Sequence, residues 1–260
     1  MLIFANILVK HGIKPSISTN GSLLTKELIE KLYDAGVSYI HLSIDGSNSK
    51  THNELRGVPN AFENLMDKME LLKNSPINVG ASFMVTEKSI NEIDDVLEIA
   101  KNKNLNVMSF YLVAELGRGK VNFKEKKYKL SNELFEKIES IDKSKFPDLK
   151  IEVFRTNNVK NENDYILQEC KGYNFFNITY DAKLGACPWL MKSNSAFNVG
   201  NLLNEDFVKL KNECKSQMKR LIDERKNNIE FCKNCEKNIE CGKGCLALQI
   251  NENNELYRNG

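Results

Sequence analysis

Five β-like runs alternate with amphipathic helical stretches along the first 154 residues, and this alternation leaves the chain few architectures. The runs are residues 15–20, 37–44, 77–85, 105–113 and 150–154. Thr25 precedes a stretch in which Leu28, Ile29, Leu32 and Tyr33 fall at helical spacing, and Gly36 ends it. Residues 60–74 carry Phe62, Leu65, Met66, Met69 and Leu72 in a second helical stripe, and residues 90–103 turn Ile93, Val96, Leu97 and Ala100 inward. Residues 132–141 also read as a helix. Strands separated by helices of this length form βαβ units around a parallel sheet. Such sheets bind ligands at the C-terminal ends of their strands. Here those ends are polar or glycine-rich: Thr19-Asn20-Gly21, Ser43-Ile44-Asp45-Gly46, Thr86, and the loop Glu115–Lys120. Singly, Asn-Gly and Asp-Gly do no more than turn the chain; on consecutive strands they describe a rim.

The seven cysteines divide the 260 residues in two. All lie between residues 170 and 245, and none precedes Cys170. A join near residues 159–165 gives an α/β part over residues 1–160 and a cysteine-rich part over 161–260. Cys232, Cys235, Cys241 and Cys245 form C-x2-C-x5-C-x3-C, with Cys170 and Cys187 upstream. Thiolates this closely spaced point to a metal site, and softness alone does not choose between zinc and iron–sulfur. Cys214 differs: with Phe207, Leu210, Met218 and Leu221 it completes an apolar helical stripe, so it reads as a core residue. His11 and His52 read as lying in or near exposed helical segments and His41 as mid-strand, none at metal-ligand spacing. Lys plus Arg number 37 against 35 Asp plus Glu, which argues against binding nucleic acid by bulk charge. No apolar run approaches the roughly 18 residues of a membrane span. A cytoplasmic location, with no membrane or nucleic-acid partner, is the expectation.

These residues carry a family resemblance. The stretch SISTNGSLLTKELIEKLYDAGVSYIHLSIDG, continuing as THNELRGVPNAFENL, resembles the third and fourth barrel units of radical S-adenosylmethionine (radical SAM) enzymes. YLVAELGRGK resembles a strand end of those that carry a C-terminal SPASM domain. Cys170, the hairpin NITYDAKLGAC, NVGNLLNEDF and CKNCEKNIECGKGC resemble the SPASM domain itself. The resemblance implies an α/β fold: a partial (β/α) barrel followed by a small domain holding auxiliary [4Fe–4S] clusters. It implies Cys170, Cys187 and Cys245 as ligands of one cluster and Cys232, Cys235 and Cys241 as ligands of another. It places Asn20, Ser43, Asp45 and Arg56 against the ribose or carboxylate of S-adenosyl-L-methionine. The implied activity is radical-based maturation of a peptide, protein or tetrapyrrole, with an electron donor such as a ferredoxin or flavodoxin.

The chain departs from that pattern in four places. It contains no C-x3-C-x2-C motif to hold the cluster that cleaves S-adenosyl-L-methionine, and no Gly-Gly-Glu-Pro segment. Alone it is therefore expected not to cleave the cosubstrate, and to be a fragment of a longer enzyme with an unpaired hydrophobic strand edge. The second cluster lacks its fourth cysteine. Ala182 stands where the hairpin pattern has glycine. Two other readings remain at this stage: a non-catalytic iron–sulfur electron-transfer or docking subunit, and a zinc-stabilised binding module.

Overall fold

The computed structural model describes residues 1–112, 136–138, 140–154, 174–193, 195–228 and 246. They fall in two compact units, one containing the described residues up to 154 and the other those from 174 onward. The first unit begins with α1 (Leu2–Lys10) and continues β1 (Ser16–Thr19), α2 (Lys26–Asp34), β2 (Tyr39–Ile44), α3 (Ser49–Arg56), α4 (Ala61–Lys73) and β3 (Asn78–Val85). A 3₁₀ turn (Ile90–Glu92), α5 (Ile93–Asn102), β4 (Val107–Leu112) and β5 (Lys150–Phe154) complete it. The five strands pair in parallel in sequence order, β1 to β5. Crossovers between parallel strands of one sheet are right-handed, so with the strands in unbroken order α2, α4 and α5 cover one face, as in a barrel wall.

That arrangement explains the side-chain alternation. On the helix-covered face Ile40, Leu42 and Ile44 of β2 stack with Val79, Ala81, Phe83 and Val85 of β3 and Met108 and Phe110 of β4, all at most 4% exposed. Against them pack Ile29 and Leu32 of α2, Leu65, Met69 and Leu72 of α4, and Val96, Leu97 and Ala100 of α5. Phe83 and Phe110 are register partners and meet edge to face, with centroids 5.7 Å apart. Local signals agree. Thr25 caps α2 by accepting the Leu28 amide at 3.2 Å, and Asn48 caps α3 by accepting that of Thr51 at 3.1 Å.

Three expectations are corrected here. Tyr33 lies half exposed rather than inward. His52 is buried, 2% exposed. The β1 edge is not hydrophobic: the strand is Ser-Ile-Ser-Thr, four residues long, and such short polar edges blunt sheet-to-sheet pairing.

The second unit contains a three-stranded antiparallel sheet, β6 (Asn177–Ile178), β7 (Lys183–Gly185) and β8 (Gly200–Asn201). Helices α6 (Pro188–Ser193) and α7 (Phe207–Asn228) accompany it. Leu210, Cys214 and Met218 of α7 pack with Leu184, Leu190, Phe197 and Leu246, so Cys214 is a core residue as its stripe indicates. In the β6–β7 turn Ala182 takes φ = +63°, a left-handed conformation that costs an L-residue roughly 1–2 kcal/mol. A glycine at this position would take that conformation without the strain.

Candidate functional site

Three consecutive elements, β2, α3 and β3, build a buried polar site where β2 ends. Asp45 is the first residue past β2 and is only 5% exposed. Arg56, in the last turn of α3, brings its Nε to 2.7 Å from Asp45 Oδ2. The Nε–H is not aimed along that line, so the contact is an ion pair and not a directed hydrogen bond. The Met84 amide on β3 donates to Asp45 Oδ1 at 3.4 Å. Burial pushes the Asp45 carboxyl above the ordinary carboxylate range, while Arg56 and the Met84 amide pull it back.

His52 completes the site from within α3. Its Nδ1 accepts the Asp45 backbone N–H at 3.1 Å, which places the ring proton on Nε2, and the ring packs against Phe62. Burial, reinforced by the Arg56 charge, holds the imidazole down at about 4. The unfolded chain therefore takes up a proton between about 6.5 and 4 that the folded protein refuses. This contribution is complete above pH 6.5 and is lost as the pH falls towards 4, at most about 3 kcal/mol. Denaturant unfolding at pH 7 and pH 4.5 should show that fall, and His52→Asn, which keeps an acceptor but does not titrate, should lessen it. An equal fall in the variant would assign the pH dependence elsewhere.

The other face of the sheet, away from the helices, is polar. Register aligns Ser43, Ser82, Ser109 and Glu152 in one row across β2 to β5. Tyr39 and His41 on β2 share this face, with the Tyr39 hydroxyl 3.4 Å from His41 Nδ1. A Cβ at Gly80, the register partner of His41, would collide with that hydroxyl. Glu152 accepts from Ser109 Oγ at 3.1 Å and pairs with Lys150 at 2.6 Å, and these bonds hold it low. Burial raises the Tyr39 and Tyr111 hydroxyls, and the Glu152 charge raises both further. Burial lowers His41, which Glu152 opposes.

Of the residues expected to bind the cosubstrate, Asp45 and Arg56 are brought into contact, and Ser43 lies near the end of β2 on the polar face, two residues before Asp45. Asn20 stands just past β1, on the strand beside β2, and its Oδ1 accepts both the Ser22 amide and hydroxyl, a turn-forming role. His52 and Glu92 belong to the site and were missed by sequence reasoning. Glu92 lies 45 residues from the Ser47 it binds, so no local spacing could reveal it. Cys187 follows β7, half buried, and packs at the edge of the second unit's core. Neither Cys187 nor Cys214 is in a disulfide. Burial pushes the Cys214 thiol up, which disfavours the thiolate a metal requires. Cys170, Cys232, Cys235, Cys241 and Cys245, with the loop Glu115–Lys120, lie outside the described residues. Among the described residues no group of three or more His, Cys, Asp or Glu could hold a metal ion, and no helix is long and apolar enough to cross a membrane.

A parallel sheet wound in one direction, with a charged pair at a strand's C-terminal end, is the class of scaffold that binds small cosubstrates, and residues 1–101 match the family model of the Radical SAM superfamily. Among curated relatives, an AdoMet-dependent heme synthase of Methanosarcina barkeri is 39% identical over 82 residues, 32% of this chain and 24% of that enzyme. The antilisterial bacteriocin subtilosin biosynthesis protein AlbA of Bacillus subtilis is 28% identical over 109 residues, 41% of this chain and 24% of that protein. The chain thus spans about a quarter of the curated relatives' length in these matches. In three dimensions it resembles Streptococcus suis SuiB bound to S-adenosylmethionine, with a TM-score of 0.76 and 15% identity, covering 96% of this chain and 59% of SuiB. SuiB has also been solved bound to its precursor peptide SuiA. At that identity the likeness establishes the fold alone.

Proposed function

We propose that this chain is the S-adenosyl-L-methionine-binding and cysteine-rich portion of a radical SAM/SPASM enzyme that matures a peptide or protein. The observation that carries the reading is the buried Asp45–Arg56 pair at the end of β2, inside the segment that matches the Radical SAM superfamily. The residues fit the cosubstrate. Asp45 offers a desolvated acceptor for ribose hydroxyls, Arg56 a cation for the methionine carboxylate, and Ser43 a hydroxyl on the same strand. Bound there, with a reduced [4Fe–4S] cluster, the cosubstrate supplies one-electron chemistry. The chain's own residues bind and orient it, and the polar face with His41, Tyr111 and Glu152 is the wall a substrate meets.

On this reading residues 1–160 form the barrel part and 161–260 the auxiliary-cluster part. Cys170, Cys187 and Cys245 hold one auxiliary [4Fe–4S] cluster and Cys232, Cys235 and Cys241 another. With no cysteine before Cys170, the thiolates of the cleaving cluster come from outside these 260 residues, and a ferredoxin or flavodoxin delivers electrons. AlbA and the SuiA-bound SuiB support a peptide substrate. The heme-synthase similarity favours a second reading, a tetrapyrrole substrate.

The test is equilibrium binding of S-adenosyl-L-methionine to the anaerobically reconstituted chain, with iron and acid-labile sulfide counted per chain. Binding weakened at least about tenfold by Asp45→Asn, as expected for a lost charge-assisted bond, and sulfide accompanying iron are the expected results. Unchanged binding in Asp45→Asn would remove the site, and stoichiometric zinc without sulfide would remove the clusters. Perturbation of an iron porphyrin's Soret band on adding the chain would replace the peptide reading with the tetrapyrrole one.

A further inference from the structure

We infer that Glu92 is a positioning residue for the cosubstrate site, acting through α3 on the Asp45–Arg56 pair; this rests on the reading of that pair proposed above. Both carboxylate oxygens of Glu92 are committed to the segment after β2. Oε2 accepts the Ser47 backbone N–H at 2.6 Å and the Ser47 hydroxyl at 3.0 Å, and Oε1 accepts the Thr51 hydroxyl at 2.5 Å. These bonds join loops 41–45 residues apart in sequence.

Glu92 itself is firmly placed. It closes the 3₁₀ turn that follows β3, and the next residue, Ile93, is fully buried in the core. Ahead of it Thr86 and Ser89 bond each other reciprocally. The Thr86 amide donates to Ser89 Oγ at 2.9 Å, the Ser89 amide donates to Thr86 Oγ1 at 3.2 Å, and Ser89 Oγ donates to the Met84 carbonyl at 3.2 Å. Both residues are at most 2% exposed. The β3 end is thus a rigid block from which Glu92 reaches to the first turn of α3.

The consequence falls on Arg56. α3 is a short rod with Glu92 bonded at its N-terminal end and Arg56 near its C-terminal end. Of the three bonds, one reaches Thr51 on α3 and two fix Ser47 just ahead of its Asn48 cap; together with the His52 ring seated on the Asp45 amide they keep Arg56 over Asp45, and losing them lets the guanidinium drift. The Lys88–Glu54 ion pair also ties the segment after β3 to α3 but, with both side chains more than half exposed, adds little. A carboxylate beside the first turn of α3 is also favoured by that helix's dipole.

S-adenosyl-L-methionine itself is the probe, titrated onto the full chain by equilibrium dialysis. The variants are Glu92→Ala, Glu92→Gln, Thr51→Val and Asp45→Asn, each checked by circular dichroism to be folded at the assay temperature. Glu92→Ala should weaken binding about tenfold and Thr51→Val about threefold. Glu92→Gln keeps an oxygen for the Ser47 amide and should recover most of the affinity, a rescue that general loss of stability does not produce. If Glu92→Ala does not fold, Thr51→Val and Glu92→Gln carry the test. Weakening by Asp45→Asn with wild-type affinity in Thr51→Val and Glu92→Ala would overturn the inference and leave the site standing. Failure of Gln to rescue would also overturn it, since charge and not bonding would then be what matters. No effect of Asp45→Asn would overturn the underlying reading instead.

Discussion

Gly46→Ala is expected to unseat α3 and abolish cosubstrate binding, although the change adds one methyl group. A Cβ at residue 46 would stand 2.5 Å from the backbone nitrogen of His52, 2.8 Å from Thr51 Cβ and 3.0 Å from the Thr51 carbonyl carbon. Two of these three neighbours are backbone atoms of a helix held at both ends, so no rotamer change relieves the clash. Overpacking a tight site costs roughly 1–3 kcal/mol, and a backbone collision belongs at the upper end, about 3 kcal/mol. The alternative to that cost is moving α3 away from β2, which separates Arg56 from Asp45 and takes the His52 acceptor from the Asp45 amide. Chemical denaturation of the full chain checks the stability term and S-adenosyl-L-methionine titration checks the site. A loss below 1 kcal/mol with unchanged binding would mean that α3 does not need its contact with residue 46. Asp-Gly at a strand end reads in the sequence as a turn, but the glycine serves a close helix approach: it is among the residues with negative or extended φ, not the left-handed ones.

How far the sequence reveals this protein follows from where each constraint acts. The apolar pattern of β2 and β3 is a nearest-neighbour property, and it foretells the strands to within about two residues: β5 matches residues 150–154 and β3 begins one residue late. The Cys214 stripe is equally local, and the structure buries it from Leu210 to Leu221 while leaving Phe207 exposed at the start of the helix. Asp45 stands on the rim that the strand-end rule picks out, but its partner Arg56 was accessible only through resemblance, because their contact spans the whole of α3. His52 illustrates the opposite failure. In a segment as polar as SKTHNELR the histidine reads as exposed, yet the helix docks with that side on the Asp45 amide, and burial follows from a tertiary bond. Tyr33 fails for the complementary reason: its helix is nine residues long, and the buried face holds only Ile29 and Leu32. Glu92 is invisible to any pattern, since its partners come from a different βα unit.

Arg56→Met should cost stability in a way that depends on Asp45. At neutral pH the substitution leaves a carboxylate, 5% exposed as a residue, with the Met84 amide as its remaining favourable partner. Removing one member of a buried ion pair costs roughly 3–5 kcal/mol; the Arg56 side chain is 29% exposed, so about 2–3 kcal/mol is expected. The pH dependence carries a definite sign. Asp45 already has its carboxyl raised by burial, and loss of Arg56 raises it further. A raised carboxyl binds its proton more tightly in the folded protein, so stability conferred by the protonated form is lost as the pH rises through the folded value. The variant should therefore lie closer to wild type near pH 4 than at pH 7; because Arg56 also holds His52 low, the comparison is made in a His52→Asn background, where that second contribution is absent. Asp45→Asn supplies the control. In the double variant a neutral amide replaces the stranded charge, and the cost of removing Arg56 should fall by more than half. Additive costs in the double-mutant cycle would mean that Arg56 stabilises the fold through its alkyl stem, and that the pair's charge serves cosubstrate recognition alone. The same four proteins then decide that point directly: if charge is kept for recognition, Arg56→Met binds adenosine as well as the wild type does but discriminates poorly in favour of S-adenosyl-L-methionine, whose carboxylate it can no longer meet.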